Sequence, residues 1–256
     1  LPPQSEGRIM SVRSSALVVA HPGHELRVHG WLERAQPVVC VLTDGSGATR
    51  GSRLDSTALV LSKAGARQGS IFGRLPDRMV YEAILDQDFG LFTSLADELA
   101  SQFISLGVDL VVADAVEDYN PSHDICRFVV DAAVTIAAAQ RNRAIASHSF
   151  TLVGAPDADA PLSHGTPIRL RLSDEELKRK MAAAREYVEM AAEVEGALQR
   201  FGPEAFRTEC LRPVDLDLSK VWQPGPAPFY ERYGEQQVAA GLYDRVIRGR
   251  EHIAPL

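Results

Sequence analysis

The sequence predicts an α/β protein, a three-layer α/β/α sandwich built on a mostly parallel sheet. Three observations predict it. Ser15 to Ala20, Pro37 to Thr43 and Val108 to Ala113 are short, continuous apolar runs rich in β-branched residues, too short for helices and apolar on both faces, as strands inside a parallel sheet are. Each is followed by a polar loop. An amphipathic stretch then follows, and parallel strands need such a crossover to pair.

The elements follow in order. The first strand runs into His21-Pro22-Gly23-His24-Glu25, after which Leu26, Val28, Trp31 and Leu32 supply the apolar stripe of a helix to about Ala35. The second strand, Pro37 to Thr43, is closed by the turn-forming cluster Asp44-Gly45-Ser46-Gly47. A helix over 53–66 is expected next, then short strands at Ser70 to Phe72 and Met79 to Leu85. A helix from Leu91 to Leu106 leads into the third buried strand. Asp114 to Ser122 reads as a polar loop and His123 to Ala139 as a long apolar-faced helix.

Beyond about residue 155 the pattern changes. Ala155 to Pro167 reads as a loop and Ile168 to Leu172 as a short strand. Ser173 caps a long helix to Arg200, with Asp174, Glu175 and Glu176 in its first turn. Pro203 to Pro228 reads as irregular, broken by Pro213, Pro224, Pro226 and Pro228, and Gln236 to Arg248 as a last helix. No flexible linker sets this part off. The expectation is one domain over 10–256, a core at 15–155 with a layer of helical and irregular additions at 156–256. Residues 1–9 lack the charged and apolar regions of a signal peptide and read as an extension before a start at Met10.

Composition removes several classes of function. The chain has 27 Lys and Arg against 34 Asp and Glu, a net charge of −7, and no basic block; nucleic-acid binding draws its affinity from such blocks. No apolar run reaches the roughly 18 to 20 residues that a membrane helix requires. Cys40, Cys126 and Cys210 are odd in number and far apart, which supports neither a disulfide framework nor a thiolate metal site and fits a cytoplasmic setting. Gly45, Gly47 and Gly51 do not form a dinucleotide fingerprint, and no GxSxG nucleophile motif is present.

Sites in doubly wound sheets lie beyond the carboxyl ends of the strands, which singles out the loops 21–25, 44–52 and 114–123. Three of the seven histidines fall in them: His21, His24 and His123. Two imidazoles from one loop and a third from its neighbour make a three-histidine face with an open fourth position, a common way to hold catalytic Zn²⁺. The plainer reading of the HxxH pair is a helix cap plus a surface residue.

The context of these histidines resembles a known family. Val18-Val19-Ala20-His21-Pro22-Gly23-His24-Glu25 resembles the strand and AHPDDE signature of the LmbE-like (PIG-L) zinc-dependent N-deacetylases, and Asn120-Pro121-Ser122-His123 resembles their HPDH signature. Between them, Val41 to Gly47 is similar to the family's LTxGExG loop, and Leu106 to Val112 to the strand that introduces its second motif. The likeness covers roughly residues 15–140. It implies a Rossmann-like fold, metal-assisted hydrolysis of the acetyl amide of an amino sugar or glycoconjugate, and zinc on His21, His24 and His123.

Two departures matter. The family's general base, the first Asp of AHPDDE, is Gly23 here, and the second Asp is His24, which keeps a ligand but removes a negative charge. The first His of HPDH, which implies an oxyanion donor, is Asn120, and an amide can still donate a hydrogen bond there. Asp44 is the preferred replacement base, with Asp118 and Glu117 behind it; the plainer reading of Asp44 is a turn residue bonding its own backbone. A Gly23→Asp change is expected to separate a lost base from a relocated one. The alternative is a metal- and ligand-binding protein on the same scaffold without deacetylation.

Other residues carry less weight. Glu25 reads as a first-turn acid or as the partner of a histidine. His29 reads as a solvated helix-face residue, and His148 and His164 as loop or strand-end residues. Arg50 and Arg53 could grip an anionic substrate or simply be solvated. Phe229, Tyr230 and Tyr233 stand beside charges, a composition suited to sugar stacking or to a contact between copies in a homo-oligomer, and equally to a packed tail.

Overall fold

The computed structural model describes residues 14–47, 51–156, 165–216 and 226–256. The extension read at 1–9, Arg50, His164 and the stretch 217–225 lie outside the described residues.

The elements run β1 (Ser15–Val19), α1 (His29–Ala35), β2 (Val38–Thr43), α2 (Leu54–Ala64), β3 (Arg67–Leu75), α3 (Asp77–Leu85) and α4 (Phe89–Ser105). After these come β4 (Leu110–Asp114), α5 (Pro121–Arg141), β5 (Ala146–Phe150), β6 (Ile168–Arg171), α6 (Asp174–Glu186), α7 (Ala191–Phe201), β7 (Thr208–Pro213) and α8 (Phe229–Ala239). Seven strands form the sheet in the order β3-β2-β1-β4-β5-β7-β6. The first five are parallel, whereas β7 runs antiparallel to β5 and β6 antiparallel to β7. This is the expected α/β/α sandwich with a mostly parallel sheet.

The fully apolar strands explain the layers. Every residue of β1, β2 and β4 is buried, and successive side chains leave a strand on opposite faces. Ala16, Val18, Cys40, Leu42, Val111 and Ala113 pack with Leu95, Leu99 and Phe103 of α4 and Val130 and Val134 of α5. Leu17, Val19, Val39, Val41 and Val112 pack instead with Trp31 and Leu32 of α1, Val60 and Leu61 of α2, and Ala184 of α6. Local signals set the helix starts: Asn120 accepts from Ser122 N with Pro121 at the first turn of α5, and Ser173 and Glu176 form a reciprocal capping box on α6.

The segment after 155 is built into the sheet. Glu209 of β7 accepts from Gly30 N and Trp31 N, both at 2.8 Å, so it caps the start of α1, and it pairs with Lys180 of α6 at 2.8 Å. Lys180 and Glu209 are both buried. Among the described residues, no helix is long and apolar enough to cross a membrane.

Four expectations are corrected. Met79 to Leu85 is helical, not a strand, because Pro76 and Asp77 start a helix whose buried positions, Val80, Ala83 and Ile84, have helical spacing. The predicted helix to Arg200 is two helices, broken at a one-turn 3₁₀ segment, Val188–Met190. The stretch 203–228 holds β7, with Pro213 tolerated at its last residue. The last helix starts earlier, at Phe229, and is followed by a π-helical turn, Gly249–Ile253.

Candidate metal centre

The strand order reverses direction at β1: β2 and β3 lie to one side and β4 and β5 to the other. The carboxyl ends of β1 and β4 therefore flank the topological switch point, where such sheets bind ligands. Asp114, the last residue of β4, accepts from Ala20 N at 2.8 Å and fixes the place where the chain leaves β1. His21 and His24 follow immediately, and His123 sits in the first turn of α5 beyond β4.

The structure brings these three histidines together. Ring centres are 5.3 Å apart for His21 and His24, 5.2 Å for His21 and His123, and 4.6 Å for His24 and His123, all edge to face. Three imidazoles on one tetrahedral Zn²⁺ would have ring centres about 5 Å apart, given a Zn–N distance near 2 Å.

Carboxylates orient two of the rings. His21 Nδ1 lies 3.1 Å from Asp77 Oδ1 and 2.7 Å from Thr43 Oγ1, and His24 Nδ1 lies 2.9 Å from Asp114 Oδ2. An ionised carboxylate only accepts, so each of these Nδ1 atoms carries a proton. Burial alone would raise the Asp77 carboxyl, yet the hydrogen bond and charge of His21 hold it well below the usual range. Gly47 N also donates to Asp77, at 2.7 Å. Burial, then the charges of His24 and His21, push His123 well below the ordinary imidazole value. It is neutral, and its buried Nδ1 has no partner.

Among the described residues, no group of three or more His, Cys, Asp or Glu stands as a ready metal-holding set. The three rings meet edge to face, each centre within about 5 Å of the others. Carboxylate-held Nδ1 atoms and an orphaned buried imidazole nitrogen are together the donor chemistry that suits a divalent cation.

Gly23 lies between the two histidines at φ +103. A Cβ there would lie 2.0 Å from Met190 Sδ, so neither the backbone nor the surroundings receive an L side chain as they stand. Gly23 N donates to Glu25 Oε2 at 2.8 Å, and Thr57 Oγ1 donates to Glu25 Oε1 at 2.9 Å. Glu25 is thus fully buried and holds the turn rather than a histidine. Burial pushes its carboxyl up to about 7.

Asp44 forms the turn that its plainer reading describes: Oδ1 accepts from Ser46 N at 2.9 Å, and Oδ2 has no partner among the described residues. Asn120 accepts from Ser122 N at 2.9 Å, and its Nδ2 donates to Tyr81 OH at 3.2 Å. Among the described residues, the second N–H of that amide has no acceptor.

Glu117 is taken up by Leu152 N and Val153 N. Asp118 sits at φ +53, and its carbonyl accepts from Phe229 N at 2.7 Å. Arg53 packs its Cδ against Gly45. His29, expected on a solvated face, is buried at the start of α1, and His148 lies within β5.

The aromatic run divides. Tyr230 is buried, whereas Phe229 and Tyr233 are exposed and continue a strip with Tyr119 and Tyr243. Tyr119 and Phe229 stack at 4.8 Å, and Phe229 and Tyr233 at 6.1 Å. Tyr119 immediately precedes Asn120, the N-cap of the helix that carries His123. Sequence reasoning missed Asp77, Asp114, Thr57, Tyr187 and Met190, which reach the site from distant segments.

No protein-family profile matches the chain, and no curated protein matches it in sequence. Solved structures share its fold. The zinc-inhibited form of teicoplanin deacetylase Orf2 is similar over 78% of this chain and 97% of its own, at 15% identity and a TM-score of 0.55. The A40926 pseudoaglycone deacetylase Dbv21 is similar over 79% of this chain and 97% of its own, at 18% identity and a TM-score of 0.55. The conserved protein TT1542 from Thermus thermophilus is similar over 83% of this chain and all of its own, at 18% identity and a TM-score of 0.56. At such identities the likeness is one of fold.

Proposed function

We propose that the chain is a zinc-dependent N-deacetylase acting on an acetylated amino sugar or glycoconjugate. The observation that carries this reading is the convergence of His21, His24 and His123 at the switch point, with two Nδ1 atoms held by Asp77 and Asp114. Two of the solved proteins that share the fold are deacetylases by their own descriptions.

His21, His24 and His123 would hold the zinc. When bound it supplies Lewis acidity toward an acyl carbonyl and toward water. The chain's own groups do the rest. Asp77 and Asp114 keep the Nδ1 protons in place and so present Nε2. The second Nδ2–H of Asn120 donates to the oxygen on which charge develops. Asp44 Oδ2 accepts the proton of the attacking water and returns it to the nitrogen as the C–N bond breaks, giving acetate and a free amine. The exposed strip from Tyr119 to Tyr233 offers flat rings and phenol hydroxyls to a sugar. Three buried free cysteines and the acidic composition accord with the reducing cytoplasm.

A second reading has its own observation. Gly23, backed by Met190, leaves no acid where the resembled motif has one, which favours a protein that binds metal and glycoside without hydrolysis. Metal content of the purified protein, with acetate release from a panel of N-acetyl sugars by native protein and Asp44→Ala, separates the two. Release abolished by Asp44→Ala supports the first reading. Metal and glycoside binding with no acetate supports the second, and a protein that takes up no divalent metal refutes both.

A further inference from the structure

The turn that carries His21 and His24 is tied to a distant part of the chain. Tyr187, at the end of α6, is buried, and its hydroxyl lies 2.8 Å from Thr57 Oγ1. Thr57 donates to Glu25 Oε1 at 2.9 Å, and Glu25 Oε2 accepts from Gly23 N at 2.8 Å. With Thr57 donating to Glu25, the Tyr187 hydroxyl donates toward Thr57 Oγ1, its single proton shared with the Arg53 carbonyl at 3.1 Å. Buried hydrogen bonds arranged head to tail polarise one another. Three residues after Tyr187, Met190 comes back over the same turn, its Sδ 2.0 Å from the position of a Cβ on Gly23. Ser56 Oγ, donating to Glu189 at 2.7 Å, pins the corner from outside.

We propose that the corner between α6 and α7 positions the histidine turn, with Tyr187 acting on Gly23 through Thr57 and Glu25 while Met190 fills the place of a side chain at position 23. The inference rests on the metal-centre reading for its function, although the hydrogen-bonded path stands independently of it. Gly23, at φ +103, sets the angle at which the two imidazoles leave the chain. Anything that holds its amide therefore holds the ring pair. Tyr187 and Thr57 are positioning residues. The break in the long helix expected to Arg200 falls at Val188–Met190, the segment that sets Met190 over Gly23.

The test is Co²⁺ binding, read by its visible spectrum and by titration, to the native chain, Tyr187→Phe, Thr57→Val, Thr57→Ser and the double variant Tyr187→Phe/Thr57→Val. Tyr187→Phe and Thr57→Val are each expected to weaken Co²⁺ about tenfold, within the usual range for groups that orient ligands, and to change the spectrum. The double variant should be no weaker than either single variant, and Thr57→Ser should restore native behaviour. Native affinity and spectrum in Tyr187→Phe, or losses that multiply in the double variant, overturn the proposal. If Tyr187→Phe does not fold, Thr57→Ser against Thr57→Val carries the same comparison. If the native chain takes up no Co²⁺, the metal reading fails and exchange of the Gly23 amide proton decides: faster exchange in the variants supports the positioning role, and unchanged exchange overturns it.

Discussion

Asp114 Oδ2 accepts from His24 Nδ1 at 2.9 Å and from Ala20 N at 2.8 Å, so one carboxylate at the end of β4 fixes both the exit of β1 and the ring that follows it. An acceptor-only group imposes a single tautomer on the imidazole. Asparagine does not, because its amide can donate to Nδ1 and move the ring proton to Nε2.

Asp114→Asn is therefore expected to weaken Zn²⁺ binding about 10- to 100-fold and to cost about 1–3 kcal/mol of stability through the less well satisfied Ala20 amide. Competition titration with a chelating dye, alongside urea unfolding, reads both quantities. Native affinity in this variant would remove Asp114 from the site.

Gly23→Asp, which the sequence suggests as a way to restore an acid, is expected instead to destabilise. A non-glycine residue at φ +103 costs about 1–3 kcal/mol, and Met190 Sδ stands where the new Cβ must go. Adding Met190→Gly relieves the contact but not the backbone strain. A coupling of at least about 0.5 kcal/mol between the two changes, measured by urea unfolding of the four proteins in the cycle, is the expected outcome. Strict additivity would show that Met190 moves aside freely.

The parts of the fold legible in the sequence are those whose cause is local. β1, β2 and β4 are apolar on both faces, and only a doubly covered sheet buries them. Asn120-Pro121 and Ser173 to Glu176 are helix starts that any context would use. Met79 to Leu85 misled because valine, tyrosine and isoleucine favour strands, while the helix starts at Pro76 and Asp77 outside the run. The histidines were legible because a strand end, a turn and the resembled motifs coincide on them. Asp77 lies 56 residues from His21 and Asp114 lies 90 from His24; only the pairing of β1 with β4, and of β2 with both β1 and β3, brings them near, and no local pattern encodes that. Met190 was hidden inside what reads as continuous helix.

Lys180→Met is expected to be severely destabilising. Glu209 would keep its bonds to Gly30 N and Trp31 N but lose the buried ammonium that balances its charge. Breaking a buried pair from one side costs about 3–5 kcal/mol. Thermal unfolding measures the loss, and a shift no larger than that of a surface lysine would contradict the pairing.

Glu176 gives a pH signature away from the histidines. The hydrogen bond from Arg34 pulls its carboxyl from 4.5 to about 2, helped by Ser173. A carboxyl depressed on folding adds stability that is fully present above its unfolded value and is lost as pH falls through its folded value. Native protein should thus lose this contribution between about pH 4.5 and 2, whereas Glu176→Gln, already without it, should show a shallower decline over that window. Parallel unfolding midpoints for the two proteins across that window would refute the assignment.

Tyr119 tests the link between the aromatic strip and the site. It stacks on Phe229 at 4.8 Å with the planes 7° apart, is about half exposed, and adjoins Asn120. A ring that stacks on a sugar without touching the reacting carbonyl binds ground state and transition state equally. Its removal therefore raises KM and leaves kcat alone. A stacking contact is worth about 0.5–1.5 kcal/mol, so Tyr119→Ala should raise KM roughly 2- to 13-fold on an N-acetylated disaccharide, while Tyr119→Phe keeps the stacking and most of the affinity. Steady-state acetate release on the disaccharide and on N-acetylglucosamine reads the split. A fall in kcat at unchanged KM would place Tyr119 at the reacting centre, and no change in either would detach the strip from the substrate.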